Sequence, residues 1–372
     1  MWTPVPILYL EYTQEHCLMF SHSDRMSRRA FVGLLSASAT LAVAACGVGE
    51  KAADPDRLEA GFETAASERA GGGPSVELAG GPPFQVEPTD MVSPIGIGQN
   101  DERKDIYVVT GDNKLFEFDK DGALHFWTDG GETTEDGKFS GPTDTTQDRS
   151  RQLWVVDSGN SRIQKYGLYL GNPQGYLPKP TIWGAPGMVQ LRASAEGQPF
   201  TINDVGEMRS YVALDGSGEQ LIESPVEGGI WTGITVVPIS GEVFALLWVP
   251  DEGVAKLYEW LAGGFGRSRD ETGLEFRADL EDLDTQPGRF SVDRKDQYFV
   301  VVPETNQIRR YGIDGAFHLE WGGEGAGPGE FNGATGIQAG VIGIYVADTG
   351  NNRIQKFDAE GAFSLEWGGR GV

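Results

Sequence analysis

Cysteine, histidine and basic charge are all scarce in this 372-residue chain, and each scarcity excludes a class of protein. Two Cys cannot form a disulfide scaffold, and four His leave little for a site built from several imidazoles. Lys and Arg number 30 against 55 Asp and Glu, which gives a formal net charge of −25. Such a surface repels phosphate backbones, so we expect no nucleic acid partner.

The apolar run near the N-terminus is mild and short. Arg28 and Arg29 precede it, and it ends in Val-Ala-Ala-Cys46. A basic region, an apolar region and small residues before a cleavage point are typical of an export signal. The paired arginines resemble a twin-arginine signal. The final four residues resemble a bacterial lipobox, in which the Cys thiol is acylated. The run is too short, and too rich in Ala, Ser and Thr, to span a bilayer.

We therefore expect a lipidated Cys46 to tether the protein in a bacterial cell envelope, facing the periplasm or the exterior. An ordinary secretory peptide, with Cys46 incidental, is the alternative. Residues 1–25 precede this export signal, where a signal peptide would not begin. Met26 is therefore the expected start within a signal region of residues 1–46. Residues 47–75 have one aromatic side chain and a Gly run, which predicts a flexible linker.

Glycine is abundant, with 53 residues or about twice its usual share of ~7%, and the remaining chain repeats. Leu153–Tyr166 and Ile344–Phe357 each read as an apolar strand, a Gly-Asn turn and a second strand, and seven of their last ten positions are identical. Weaker copies recur at a mean interval of about 48 residues, a spacing typical of propeller blades. The anchor residues after the turns are Leu115, Ile163, Leu221, Leu257, Ile308 and Ile354.

A short strand precedes each hairpin, and a strand ending near Trp and Gly follows it. Six units of four strands predict an all-β fold for residues 76–372, a six-bladed β-propeller of four-stranded antiparallel blades. Stacking the blades radially buries apolar faces that no blade can cover alone. We expect the Trp residues to wedge between blades.

The repeat resembles the NHL-repeat family, whose units carry a Tyr-Val-Ala-Asp…Asn-Arg-Ile-Gln core. Units 2 and 6 match this core well, units 1 and 5 moderately, and units 3 and 4 poorly. The resemblance implies the propeller fold, but the family includes RNA binders, protein-interaction modules, sensor domains and a few enzymes. We interpret the repeated Asp157, Arg162, Asp348 and Arg353 as structural, with Asp accepting turn N–H bonds and Arg pairing with a carboxylate.

The resemblance also raises an enzymatic interpretation, because amidating lyases of this fold hold zinc through several central His. Downstream of Cys46 the chain has only His125 and His318, each three residues past an Asp-Gly turn. Both positions fall on outer strands, so we do not expect them to converge. We predict no cofactor. Lactonase-like Ca²⁺ or Zn²⁺ binding stays an alternative without a spaced ligand motif to support it.

One position of the predicted innermost strands suggests a ligand site. It is held by Gly96, Asp144, Thr201, Gly233, Arg289 and Gly336 in blades 1 to 6. Asp144 and Arg289 belong to blades that face each other across a six-fold ring. We hypothesise that they line the channel mouth and orient a polar ligand, so that alanine weakens binding and leaves the melting temperature nearly unchanged. The alternative is two solvated or water-bridged charges.

Two loops depart from the repeat, at residues 171–197 and 265–286, and are candidate contact surfaces or plain decoration. Together these features favour a monomeric binding or scaffold module for a protein or polar small-molecule partner. The alternative function is a metal-dependent hydrolase or lyase with its site at the central channel. Metal analysis of the purified domain separates the two.

Overall fold

A computed structural model shows six four-stranded antiparallel sheets, so the predicted six-bladed β-propeller is confirmed. The structure describes residues 91–368 apart from 101–103, 129–133, 136, 149–151, 167–180, 185, 195–196, 212–217, 238–240 and 262–272. All of these residues belong to the compact unit Pro83–Val372. Within this part of the chain the helical content is two short 3-10 turns, at Ser158–Asn160 and Thr349–Asn351.

The strands follow one another in the same order in every blade. Blade 1 holds β1 (Pro94–Asn100), β2 (Asp105–Thr110), β3 (Leu115–Phe118) and β4 (Leu124–Trp127). Blade 2 holds β5 (Pro142–Gln147), β6 (Leu153–Asp157), β7 (Arg162–Tyr166) and β8 (Thr181–Gly184). Blade 3 holds β9 (Met188–Ala193), β10 (Pro199–Asn203), β11 (Met208–Ser210) and β12 (Gln220–Ile222).

The second half of the ring repeats the arrangement. Blade 4 holds β13 (Ile230–Val236), β14 (Val243–Val249), β15 (Val254–Leu261) and β16 (Gly273–Asp279). Blade 5 holds β17 (Phe290–Val292), β18 (Tyr298–Val302), β19 (Gln307–Tyr311) and β20 (Phe317–Gly322). Blade 6 holds β21 (Ala334–Gly340), β22 (Gly343–Asp348), β23 (Arg353–Phe357) and β24 (Phe363–Gly368).

The first strand of each blade is the innermost one. β1 packs against both β5 and β21, and β9 packs against β5 and β13. The second strands are apolar on both faces because each face is covered by a neighbouring blade. On β2, for example, Val108 packs towards Tyr345 of blade 6, whereas Val109 packs towards Leu153 of blade 2. The core therefore consists of wedges between adjacent blades rather than one central cluster.

Ring closure uses side chains rather than strand exchange, because each of the six sheets contains four consecutive strands. Thr349 Oγ1 donates to the carbonyl oxygen of Pro94 at 2.7 Å, across the seam between blades 6 and 1. The matching hydroxyl of Ser158 donates to the carbonyl oxygen of Met188 at 2.6 Å, between blades 2 and 3. The seam is thus built like an ordinary junction between blades.

Tryptophans near the end of the outer strands lie between blades, as the repeat predicts. Trp367 contacts Tyr345 of its own blade and Phe118 of blade 1, with ring centroids 5.9 and 5.7 Å away. Its ring lies against Gly122, whose φ is +86° and where a Cβ would stand 2.8 Å from the indole. Glycine is therefore required at this turn both for the backbone conformation and for the approach of the tryptophan.

Blade 3 departs from the sequence prediction by one strand. Leu221 lies in the outer strand β12, and the residue that pairs like the other anchors is Met208, opposite Ile202. Thr201 likewise lies in the second strand β10, not in the innermost strand. Blade 3 matches the repeat core poorly, so the spacing alone indicated the next apolar segment as its anchor. With Met208 as anchor the repeat spacing becomes nearly uniform.

The predicted signal region of residues 1–46, with Arg28, Arg29 and Cys46, lies outside the described residues, as does the linker of residues 47–75. Parts of the two candidate contact loops, residues 171–180 and 265–272 among them, also lie outside. In the portion of the chain that is described, no helix has the length and apolar character needed to cross a membrane.

Candidate functional site

One register position recurs on the inner strands around the channel. In blades 1, 4 and 6 it is glycine, and a Cβ on Gly336 would stand 2.3 Å from the carbonyl oxygen of Ile95 in the next blade. At Gly96 and Gly336 the backbone of the next inner strand leaves no room for a side chain, and at Gly233 the Phe290 ring fills that space. Blades 2 and 5 hold Asp144 and Arg289 there. Blade 3 holds Gln190, opposite Ile202, in place of the Thr201 that the sequence indicated.

Asp144 is completely buried and sits between two arginines. Its Oδ2 accepts hydrogen bonds from Arg192 Nη1 at 2.7 Å and from the Leu191 backbone N–H at 2.9 Å. Its Oδ1 lies 3.1 Å from Arg289 Nη1. The structure thus brings the two predicted channel residues into direct contact, and the description of Asp144 as a solvated charge is wrong. Because Asp144 is buried and paired, Asp144→Ala is now expected to lower the melting temperature rather than to leave it unchanged.

Arg289 reaches across the channel from blade 5. Its Nη2 donates to the carbonyl oxygens of Thr143 and Val189, each at 2.8 Å, on the inner strands of blades 2 and 3. Burial lowers the pKa of the guanidinium, Asp144 opposes that shift, and the positive charge of Arg192 adds to it. A guanidinium has five N–H donors, and three of them have acceptors among the described residues. Two donors remain for another acceptor.

The charges around Asp144 do not cancel. Two guanidiniums share one carboxylate, so this centre carries one formal positive charge within a chain of net charge −25. A buried excess charge is costly unless a counter-charge or further hydrogen bonds stabilise it. The sequence prediction did not include Arg192. Placing β9 on the innermost ring would have identified it, because Arg192 follows Gln190 by two residues on that strand.

A cleft of 770 Å³ opens onto Arg289 from one face of the propeller. Blades 3 to 6 line it with the starts of their inner strands and with hairpin turns. Its apolar wall includes Trp231 and Pro287, whereas Asp204 and Glu304 belong to the turns on its rim. The described part of the site therefore combines an apolar wall, a cationic floor and acidic turns. This combination is typical of a pocket for a small polar ligand.

In blades 2 and 6 the repeated Asp and Arg residues hydrogen-bond to the loop that precedes the inner strand. Asp157 Oδ1 accepts a bond from the Ser140 N–H at 2.7 Å, and its Oδ2 accepts one from Arg162 Nε at 2.6 Å. Arg162 also donates to carbonyl oxygens of residues 134, 135 and 138. Asp348 and Arg353 repeat the arrangement in blade 6, with a 2.7 Å ion pair. In both blades, the carboxylate is completely buried away from the cleft.

His125 and His318 lie on β4 and β20, the outer strands of blades 1 and 5. Neither lines the cleft. His318 Nδ1 lies 3.1 Å from Gln297 Oε1. The two histidines are thus separated by the ring, and neither is part of the channel site.

Comparisons with known proteins agree with this architecture. Residues 139–166 match the NHL repeat family model. No curated protein sequence matches the chain. A streptogramin B lyase structure is similar over 77% of this chain and 85% of that one, with 15% identity and a TM-score of 0.50. Virginiamycin B lyase from Staphylococcus aureus shows 13% identity over 75% and 85% of the two chains, with a TM-score of 0.47.

A gluconolactonase from Xanthomonas campestris shows 12% identity over 73% of this chain and 85% of that one, with a TM-score of 0.45. At 15% identity the likeness to the streptogramin B lyase structure shows the fold alone. The same architecture supports both enzymes and binding modules, so the function has to be argued from the site.

Proposed function

We propose that this six-bladed propeller with an NHL repeat is a binding or scaffold module of the bacterial cell envelope. In this proposal the lipidated Cys46 tethers a monomeric propeller to the membrane. The cleft over Arg289 holds a polar ligand that carries a carboxylate, either a small molecule or the end of a protein partner. The observation that carries the proposal is the cationic centre of Asp144, Arg192 and Arg289 below an open cleft.

The chemistry of this centre favours an anion. A carboxylate accepts charge-assisted N–H bonds from a guanidinium, and Arg289 has its Nε–H and one Nη1–H left to donate. The ligand would also balance the buried excess positive charge. Arg192 and Arg289 share Asp144, so a metal cation at this point would compete with two guanidiniums for one carboxylate. The channel geometry therefore supports a binding module better than a hydrolase or lyase with a metal at the channel.

The proposed ligand site is tested by asking whether binding depends on a carboxylate in the ligand. We expect N-acetylated tripeptides with free carboxyl termini to raise the melting temperature of the full chain more than the same peptides as amides. A hydrogen bond to a charged group contributes about 1.5–3 kcal/mol. Arg289→Gln should therefore weaken the binding of the active peptides roughly 10- to 150-fold, as measured by calorimetric titration.

Arg277→Gln is the matched control, because Arg277 pairs with Glu259 and Glu275 on the outer part of blade 4. Its ligand-induced shift should equal that of the wild type. Equal shifts with acids and amides, or unchanged binding by Arg289→Gln, would contradict the proposed site.

The tether has its own test. In bacteria that express the full chain, Cys46→Ala should abolish incorporation of radiolabelled palmitate and move the protein out of the membrane fraction. A lipobox Cys is the acylated residue, so no other thiol should replace it. Ser38→Ala, a conservative change within the apolar run of the same signal region, is the matched control and should label like the wild type. Labelling that survives Cys46→Ala would contradict the lipoprotein assignment while leaving the cleft proposal standing.

A further inference from the structure

Three metal-ligating side chains of blade 1 meet on the adjacent strands β2, β3 and β4. Asp105 begins β2, Glu117 lies on β3, and His125 lies on β4. One ligand atom from each lies within 4.8 Å of the other two. Asp105 and Glu117 are 3% and 7% exposed, whereas the His125 side chain is 48% exposed. The group is therefore two buried carboxylates with an imidazole on the solvent side.

The strand register explains why these residues share a face. Tyr107 pairs with Glu117, and Asp105 lies two residues from Tyr107 on the same side of β2. This side packs towards blade 2, where Tyr107 contacts the cluster of Leu153. A β-bulge leaves His125 as the extra residue between β3 and β4. Bulges re-aim side chains, and this one brings the imidazole onto the face of the two carboxylates.

Blade 5 has the same bulge with different chemistry. Register pairing makes Gln297, Arg310 and His318 the counterparts of Asp105, Glu117 and His125. There the imidazole Nδ1 lies 3.1 Å from Gln297 Oε1, within hydrogen-bond range. In blade 1 the corresponding Nδ1 and Oδ1 atoms lie 3.9 Å apart, beyond that range. The blade-1 group is thus spaced more widely than a hydrogen-bonded pair, and an acid replaces the arginine.

We propose that Asp105, Glu117 and His125 bind a zinc ion. Zinc bonds to imidazole nitrogen and carboxylate oxygen are about 2.0–2.2 Å long, so two ligands of one tetrahedral ion lie roughly 3.4 Å apart. A small rotation of the exposed imidazole closes the 3.9 Å separation to that distance. Imidazole with two carboxylates suits zinc better than calcium, which takes six to eight oxygen ligands. The exposed side leaves a fourth position for water.

Spacing along the chain does not reveal this site, because the three residues are not arranged in a metal-binding motif. The useful indication is a difference between blades 1 and 5. Both carry a histidine at the same position, but only in blade 1 are its two neighbours carboxylates. Only pairing of the three strands places Asp105 beside His125. The site is independent of the channel proposal, since its residues do not line the cleft.

Equilibrium dialysis against micromolar zinc chloride tests the proposal on the full chain. We expect the wild type to bind one more zinc per chain than His125→Ala, and Asp105→Asn to weaken this binding at least tenfold. His318→Ala is the matched control, because it removes the equivalent imidazole from a blade whose neighbours are an amide and a guanidinium. It should bind zinc like the wild type, and zinc should raise its melting temperature by the same amount.

Thermal unfolding provides a second readout. Zinc should raise the wild-type melting temperature, EDTA should reverse the rise, and the increment should disappear in His125→Ala. Equal zinc stoichiometry in the wild type and His125→Ala would overturn the proposal. Calcium that binds at the same concentration, with no change in His125→Ala, would also overturn it, because the carboxylates would then act without the imidazole.

Discussion

Asp144→Ala should lower the free energy of unfolding by about 3–5 kcal/mol, the loss expected when one partner of a buried ion pair is removed. The wild-type carboxylate is completely buried and accepts bonds from Arg192, Arg289 and the Leu191 N–H. Without it, two guanidiniums remain together near the channel centre with no counter-charge. Urea denaturation monitored by tryptophan fluorescence measures the change.

A double-mutant cycle separates this effect from simple loss of volume. Asp144→Ala combined with Arg289→Met should be less destabilising than the sum of the two single changes. The second change removes one of the two guanidiniums that Asp144→Ala leaves without a counter-charge. Glu320→Gln serves as the control, since Glu320 is an exposed partner of Arg309 and exposed pairs contribute about 0–1 kcal/mol. A loss below about 1 kcal/mol for Asp144→Ala would show that the arginines do not need this carboxylate.

Trp367→Ala should cost about 3–5 kcal/mol, as expected for truncating a buried tryptophan. The side chain is 7% exposed and fills the seam where blade 6 meets blade 1. Since no strand crosses this seam, the indole is a main part of what closes the ring. Thermal and urea unfolding measure the loss, and hydrogen exchange should show faster exchange in β1 and β24 than in β13.

Phe363→Ala is the matched control for the seam. Phe363 lies on the same strand but is 38% exposed, so its removal should cost less than about 1 kcal/mol, as is usual for surface positions. If Trp367→Ala were equally mild and left exchange in β1 unchanged, the seam would be held by its hydrogen bonds instead. Thr349 Oγ1 to the carbonyl of Pro94 would then be the contact to remove next.

The channel centre and the blade-1 group lie in different parts of the propeller. The channel centre gathers charge because innermost strands from all blades converge there, and a side chain as long as Arg289 spans the opening. The blade-1 group lies on three adjacent strands of a single sheet, so its three side chains come from neighbours in that sheet. Each site can therefore be disabled without altering the other.

The sequence alone determined the architecture. A repeat of apolar strands joined by short polar turns, with Gly-Asn in units 2 and 6, specifies hairpins locally. Six such units have faces that only radial stacking covers. Unit 2, which holds Asp157 and Arg162, carries enough of the NHL pattern to match the family model. Alignment of the inner strands also identified Asp144 and Arg289, since both follow from counting along a strand. Blade 3 was the exception, because its segments match the repeat core poorly and its anchor was placed by spacing alone.

Tertiary structure alone decided what these residues touch. Arg192 meets Asp144 from 48 positions away, and Arg289 from 145, so no local pattern relates them. The cleft needs four blades at once, and the approach of Asp105 to His125 depends on the register of three strands and one bulge. Short-range pattern fixes the strands, whereas burial, charge balance and ligand geometry depend on atoms that only ring closure and strand pairing bring together.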